Sequence, residues 1–545
     1  MHRVFVIGID CANLDLILRW KDELPNLRKA IETGVHGKLK SCIPPATSPA
    51  WNCLFTGKNP GKLGIYDFLV FPFTKEDGFR VVNYSYQDSR SLWDILSDYD
   101  KKVGVVNVPT TFPPRKLNGL MVSGGLLTPL YRDVDYTFPS ELKNELDRVV
   151  DGYEILPFTD LTVQGKEEEY LQKFAQNIDK QVRGLKYLMQ KFDWDFFTYA
   201  FFVTDSVQHY FWHYLDETHP RYDAEQARKY GNGIKHVYKL VDAAIGELLA
   251  EIPSETNILV VSDHGSGPLY GRFLVNEWLK EKGLLKIRNI EHGLSDILVK
   301  WLFSVKDFIY SRFNTRFIEF LISKIPRSLL SRFLFVEQWR KQGIDLIESI
   351  DWSRTKAYGL GGNGSIFINL KGRESEGIVD TKDYERVRGM ITEMLHQLET
   401  PTGEKQRVKV FRREEIYSGK HLEAAPDLLF ILDDYRYAQG ITIGHDTVWA
   451  PPETSGGHSL YGTFIACGPD IRQSTESQNI EIYDITPTVL HMLGVPIPDD
   501  IDGKVLSKIF NPDSEPAKKP VTREDVSEKE RLDSKIRQLK RLGRI

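Results

Sequence analysis

Residues 4–10 read VFVIGID, a run of apolar residues closed by Asp10, and their reading decides the fold. Four to eight β-branched or aromatic residues that stop abruptly at an acid describe a buried strand with a polar group at its end. The same form returns twice. FFTYAFFVTDSVQH, residues 196–209, delivers Asp205 and then His209; NILVVSDHG, residues 257–265, ends in Asp263 and His264. A later stretch, SGGHSLYG at 455–462, adds His458. A parallel sheet collects such residues along one edge, outside the carboxyl ends of its strands. The expectation is therefore an α/β protein with a mostly parallel central sheet and metal-ligand chemistry at that edge.

Residues 43–68, IPPATSPAWNCLFTGKNPGKLGIYDF, hold the candidate reacting group. Pro44, Pro45 and Pro49 argue against helix before Trp51, and WNCLFTG reads as a short helix that presents Thr47 or Ser48 near its start. Backbone N–H groups at a helix start carry partial positive charge, so an anion sits there readily with a hydroxyl beside it as nucleophile. A hydroxyl needs a base or a metal to strip its proton, and the three strand ends supply that chemistry. Taken alone, the stretch also reads as an ordinary Ser/Thr cap ahead of a helix.

In this order, Asp10, Thr47, Asp205-x-x-x-His209, Asp263-His264-Gly265 and Gly457-His458 resemble the alkaline phosphatase superfamily and, within it, the type I phosphodiesterase/nucleotide pyrophosphatase family, over roughly residues 1–270 and 350–510. The resemblance implies an alkaline-phosphatase-like α/β/α sandwich. Its discontinuous catalytic core would take residues 1–270 and 351–510, with an inserted helical cap at 271–350 and a charged tail at 511–545. It also implies two divalent cations, one held by Asp10, Asp263 and His264 and touching Thr47, the other held by Asp205, His209 and His458. Mixed carboxylate and imidazole ligands suit zinc first, and manganese or iron as well. Thr47 would be the nucleophile, because Thr47-Ser48-Pro49 matches the family's order of threonine, apolar residue and proline; Ser48 is the alternative. The implied reaction passes through a phosphothreonine, and the implied partner is a small phosphoester such as a nucleotide.

Two departures bear on substrate. Where nucleotide pyrophosphatases carry an asparagine after the GIYD stretch, this chain has Phe68, which puts nucleotide diesters in question. Cys42-Ile43-Pro44-Pro45-Ala46 lacks the arginine of the sulfatase pattern. A phosphomonoesterase, or a phosphotransferase of the phosphoglycerate-mutase type, shares the metal set. Such mutases use serine and carry an insertion soon after it, whereas here the insertion follows Asp263-His264. A non-catalytic binding or membrane-docking protein on this fold would lack a ligand, and all six are present.

Composition narrows the class. A chain of 545 residues with 41% hydrophobic and 27% charged residues describes a globular protein large enough for several domains. Lys+Arg 71 against Asp+Glu 76 leaves a net charge of −5, so no global electrostatic case exists for nucleic acid. Cys11, Cys42, Cys53 and Cys467 form no C-x-x-C pair, which suits a reducing compartment. With a strand by Val4 and no apolar run of membrane-spanning length, the expectation is a cytoplasmic protein.

Other residues stay open between two readings. Cys11 sits beside a ligand and reads as a metal neighbour or as a small buried hydrophobe. His213, four residues past His209, reads as a substrate contact or as packing among aromatics. Between Leu294 and Lys341, nine Lys/Arg against four Asp/Glu accompany many aromatics. That region reads as a helical cap, with peripheral contact to a lipid surface as the other expectation. Gly361, Gly362 and Gly364 mark a tight loop entering a strand, which is not a nucleotide fingerprint. Asp484 reads as structural, and the tail from Asn511 as a solvated terminal helix.

Overall fold

The computed structural model describes residues 3–70, 80–87, 89–125, 127–128, 134–155, 165–288, 343–400, 403–526 and 536. Seven strands carry the central sheet: β1 (Arg3–Ile9), β2 (Val35–Lys40), β3 (Val103–Val108), β4 (Gly119–Ser123), β5 (Phe196–Phe201), β6 (Thr256–Val261) and β7 (Tyr461–Cys467). Their spatial order is β2, β7, β6, β1, β5, β3, β4, with short edge strands outside both ends. β1 runs parallel to β5 and β6, and β3 parallel to β4 and β5, while β7 is antiparallel to β6 and β2. The three strands expected to end in ligands are therefore adjacent, with β1 between β5 and β6.

Continuous apolar runs follow from cover on both faces. Along β1, Phe5, Ile7 and Ile9 enter one core with the helices Glu167–Lys191 and Gly233–Leu249, while Val4 and Val6 enter the other. That second core takes Trp51, Leu54 and Phe55 together with the helix Ile485–Met492. Gly8 lacks a side chain for a reason: a Cβ there would stand 2.4 Å from Trp51 Cη2.

A second sheet stands apart from the first. Its strands are Ala357–Gly359, Ser365–Ile368, Leu428–Leu432, Tyr437–Gly440, Gly271–Leu274 and Trp449–Ala450, and Val408–Arg412 pairs with Leu428–Leu432. The helices Val275–Glu281 and Tyr384–His396 share its apolar core. The runs IFINL and PDLLFIL thus form strands where expected, but in this sheet. An apolar run specifies a strand without naming its partner. The sheet also draws on residues from both sides of the boundary expected at 351. Residues 289–342, most of the expected cap and the whole basic aromatic region, lie outside the described residues. Among the described residues, no helix is long and apolar enough to cross a membrane, and all four cysteines are free and buried.

Candidate active site

The backbone leaves β1 at Asp10, whose N–H still donates to Phe201 of β5 at 2.8 Å. Asp10 is fully buried. Trp51 Nε1 donates to its Oδ2 at 2.8 Å, and its Oδ1 has no partner. Cys11 then turns the chain with φ 61, and its N–H donates to Asp263 Oδ1 at 3.2 Å. Two adjacent strand ends are joined in this way.

Helix α1 (Thr47–Thr56) begins at Thr47 and contains Pro49. The expectation of no helix before Trp51 is corrected here: Pro49 occupies the first turn, where an N–H would find no acceptor in the helix anyway. Trp51 follows Thr47 by one turn on the same face. Thr47, 9% exposed, places Oγ1 3.3 Å from His264 Nε2. Ser48 is fully buried and its hydroxyl has no partner.

Helix α2 (Val203–Leu215) opens after β5 and carries Asp205 in its first turn. One turn on, His209 Nε2 lies 3.2 Å from Asp205 Oδ1. His458 comes from the strand Gly456–Ser459, antiparallel to Gly265–Pro268, with His458 opposite Ser266. This pairing sets the His458 ring 3.9 Å from that of His264 and its Nε2 3.1 Å from His209 Nε2.

The three imidazoles are turned the same way, each with Nδ1 on a backbone carbonyl. Nδ1–H donates to a backbone carbonyl in each: His209 to Gly456 at 2.8 Å, His458 to Pro45 at 3.0 Å and His264 to Gly265 at 3.2 Å. Their Nε2 atoms are thereby turned toward the carboxylates as ligands. His264 Nε2 stands 3.1 Å from Asp263 Oδ2 and 3.8 Å from Asp10 Oδ1; His458 Nε2 stands 3.5 Å from Asp205 Oδ1.

Electrostatics expose what this cluster needs. Burial, then the neighbouring Asp263 and Asp205, push the Asp10 carboxyl well above its ordinary range. Asp263 is raised as well, chiefly by burial. Against burial, His209 and His458 hold Asp205 well below its ordinary range. Burial and His458 push the His264 imidazole well down. Asp10 Oδ1, Asp205 Oδ1 and Asp263 Oδ2 are buried without a hydrogen-bond donor. Divalent cations would satisfy these oxygens and relieve the repulsion between the acids. The ligand atoms of Asp10, Asp263 and His264 all lie within 4.8 Å of one another, as do those of Asp205, His264 and His458. The donor set therefore fits metal ions.

The remaining candidates divide. Cys11, with its Sγ 3.4 Å from Gly265 O, lies against the ligands. Phe68, 8% exposed, packs in the apolar core with Leu63 and offers no hydrogen bond to a phosphate. Beside it Asp67 accepts from Gly362 N at 3.3 Å and Asn363 Nδ2 at 3.2 Å, fastening the glycine loop of the second sheet to this region. His213 is not among the clustered ligands. Asp484 accepts from the N–H groups of Glu481 and Lys504, consistent with its structural reading. Sequence reasoning missed Trp51, although its one-turn spacing from Thr47 was a signal. It also missed the carbonyls of Pro45 and Gly456, which leave no mark in a sequence.

Comparison with known proteins bears on the family and the fold. A family model described as type I phosphodiesterase/nucleotide pyrophosphatase matches residues 4–447, which includes every candidate ligand except His458. No match appears among curated protein sequences. Among solved structures, an inactive variant of murine ectonucleotide pyrophosphatase/phosphodiesterase 5 in complex with AMP superposes with a TM-score of 0.51 at 11% identity, covering 94% of this chain and 100% of that one. A second structure of the same murine protein gives a TM-score of 0.51 at 11% identity, over 93% of this chain and 100% of the other. At that identity the likeness shows the fold alone. This chain belongs to the type I phosphodiesterase/nucleotide pyrophosphatase family.

Proposed function

We propose that the chain hydrolyses phosphodiesters or pyrophosphates with Thr47 as nucleophile and two divalent cations as cofactors, zinc being the first choice. The observation that carries this reading is the buried group of three carboxylates with unpartnered oxygens, facing three imidazoles each turned with Nδ1 on a backbone carbonyl, beside a helix-start hydroxyl. Asp10, Asp263 and His264 would hold one ion next to Thr47, and Asp205, His209 and His458 the other. When bound, the pair supplies Lewis-acid polarisation of phosphoryl oxygen and lowers the pKa of a coordinated hydroxyl or water.

The chain's own residues do the rest. Thr47 Oγ1 attacks phosphorus as its proton is lost, one substituent departs as an alcohol or, from a pyrophosphate, as a phosphomonoester, and a phosphothreonine that still carries the other ester group remains; water then attacks that phosphorus, releasing a phosphomonoester and restoring the hydroxyl. The N–H groups that open α1 at Thr47 and Ser48 have no acceptor within the helix and face developing negative charge on the phosphoryl oxygens. Trp51 holds Asp10 in place. The murine structure with AMP supports a nucleotide-related substrate, while the buried Phe68 shows that no asparagine at that place secures a phosphate oxygen.

Turnover of bis-p-nitrophenyl phosphate against p-nitrophenyl phosphate, with zinc or manganese, in wild type and Thr47→Ala tests the reading. Metal-dependent diester hydrolysis that vanishes in Thr47→Ala is the expected result. Preference for the monoester would shift the assignment to a phosphatase, and full activity in Thr47→Ala would remove Thr47 as nucleophile.

A further inference from the structure

Helix α2 carries two candidate ligands, and each is preceded by a residue that fastens the helix to the turn after β1. Thr204 stands before Asp205 and Gln208 before His209, so the fasteners repeat one turn apart, as the ligands do. Thr204 Oγ1 donates to Asp10 O at 2.7 Å, and Gln208 Nε2 donates to Cys11 O at 2.9 Å. Two successive carbonyls that follow β1 are thus held by α2.

Gln208 reaches further than Thr204, because its amide has a second end. The side chain is 1% exposed, and all four of its hydrogen-bonding positions are filled. Nε2 donates its other proton to Thr204 O at 2.9 Å, while Oε1 accepts from Ser266 Oγ and, at 3.2 Å, from Tyr238 OH. The partners fix which way the amide faces. Carbonyls can only accept, and Tyr238 OH already accepts the Asn13 N–H at 3.0 Å, which leaves its own proton for Oε1. Ser266 lies two residues past His264 and opposite His458 in the antiparallel pair. The His458 strand also closes on α2 here, since a Cβ on Gly456 would stand 2.2 Å from Gln208 O. One buried amide therefore joins α2, with Asp205 and His209, to the turn that follows Asp10 and to the paired strands that follow His264 and carry His458.

We propose that Gln208 is the positioning residue that sets the spacing between the two cation sites. The proposal rests on the two-cation reading above and adds to it a side chain with no free position for an ion. Asp10 belongs to one site, Asp205 and His209 to the other, and the Gln208 amide is the bond between the segments that carry them. Two cations clamp the attacking and leaving oxygens only when their separation matches the reacting phosphoryl group, and a misplacement of about 1 Å costs on the order of a hundredfold in rate. Without the amide each site keeps its own ligands, Cys11 O loses its donor, and α2 shifts against the turn.

The test loads metal-stripped protein with manganese alone and compares wild type, Gln208→Met and Ser266→Ala. Exchange coupling between paired Mn(II) ions shapes their electron paramagnetic resonance spectrum and depends on their separation, so the spectrum reads spacing without turnover. Wild type should give the spectrum of a coupled pair. In Gln208→Met, at two ions per chain, that spectrum should give way to one of isolated ions, and kcat for bis-p-nitrophenyl phosphate should fall about tenfold to a hundredfold with KM little changed. Ser266→Ala, which removes one of the four bonds, should move both readings the same way by less; it decides the matter where thermal melts show that Gln208→Met does not fold. A lower melting temperature with the coupled spectrum and kcat unchanged overturns the proposal and leaves the hydrolase reading intact. A manganese-loaded wild type without a coupled pair overturns the two-cation reading and the proposal together.

Discussion

His458 donates from Nδ1 to the Pro45 carbonyl at 3.0 Å, a bond that spans 413 positions of the chain. A candidate metal ligand and the loop that aims Thr47 are thereby fixed to each other. Holding a cation and placing the nucleophile become one structural task, because rotation of the imidazole would carry Pro45, and the start of α1 two residues on, with it.

His458→Ala should therefore lose both at once. We expect kcat to fall by at least about a hundredfold and the bound metal, measured by atomic absorption, to drop below that of wild type. Wild-type turnover with fewer metal ions per chain would contradict the coupling.

Trp51 is the second support. Trp51→Phe removes the Nε1–H that holds Asp10 Oδ2 at 2.8 Å but keeps a ring to stack against Phe55, now 5.8 Å away. Metal affinity should weaken about tenfold to a hundredfold, read by chelator competition, while the melting temperature changes little. An unaltered affinity would mean that Asp10 needs no second anchor.

Metal should also be a stability factor. Burial and mutual repulsion raise Asp10 and Asp263 in the metal-free site, so a cation that binds only the folded chain stabilises it by about 2.7 kcal/mol at a hundredfold excess over its Kd. Saturating zinc should raise the melting temperature of chelator-stripped protein, and Asp263→Asn should shrink that rise. Equal rises in both proteins would place the binding elsewhere.

The second sheet carries its own acid sensitivity. Against burial, which alone would raise it, Arg388 at 2.5 Å draws Glu414 down to about 2 from an ordinary 4.5. A carboxylate depressed on folding contributes stability that is whole above 4.5 and is lost as pH falls toward 2. Glu414→Gln should be less stable than wild type above pH 4.5, and the gap between their urea midpoints should close as pH approaches about 2. A gap constant with pH would remove Glu414 as the cause.

How much of this was legible follows from what a sequence encodes. β1, β5 and β6 were visible because strands covered on both faces must be apolar throughout, and an acid closing such a run is costly unless something binds it. Pro49 was misread: proline breaks a helix through its interior, and the first turn, where the missing N–H costs nothing, was not distinguished from it. IFINL and PDLLFIL read as strands, but the sheet they join was not legible, since a local pattern carries no address for a partner strand. The carbonyls of Pro45 and Gly456 were invisible, because every residue has one.

By itself, then, the sequence determined which groups this protein brings to its candidate site: strand ends carrying Asp10, Asp205 and Asp263, a hydroxyl at a helix start, and imidazoles at positions 209, 264 and 458. Side-chain identity and local periodicity are written residue by residue. Only the tertiary structure decided that β1 lies between β5 and β6 and that one backbone carbonyl orients each imidazole. Those relations join residues far apart in the chain, and they exist only once the order and register of the strands have brought them together.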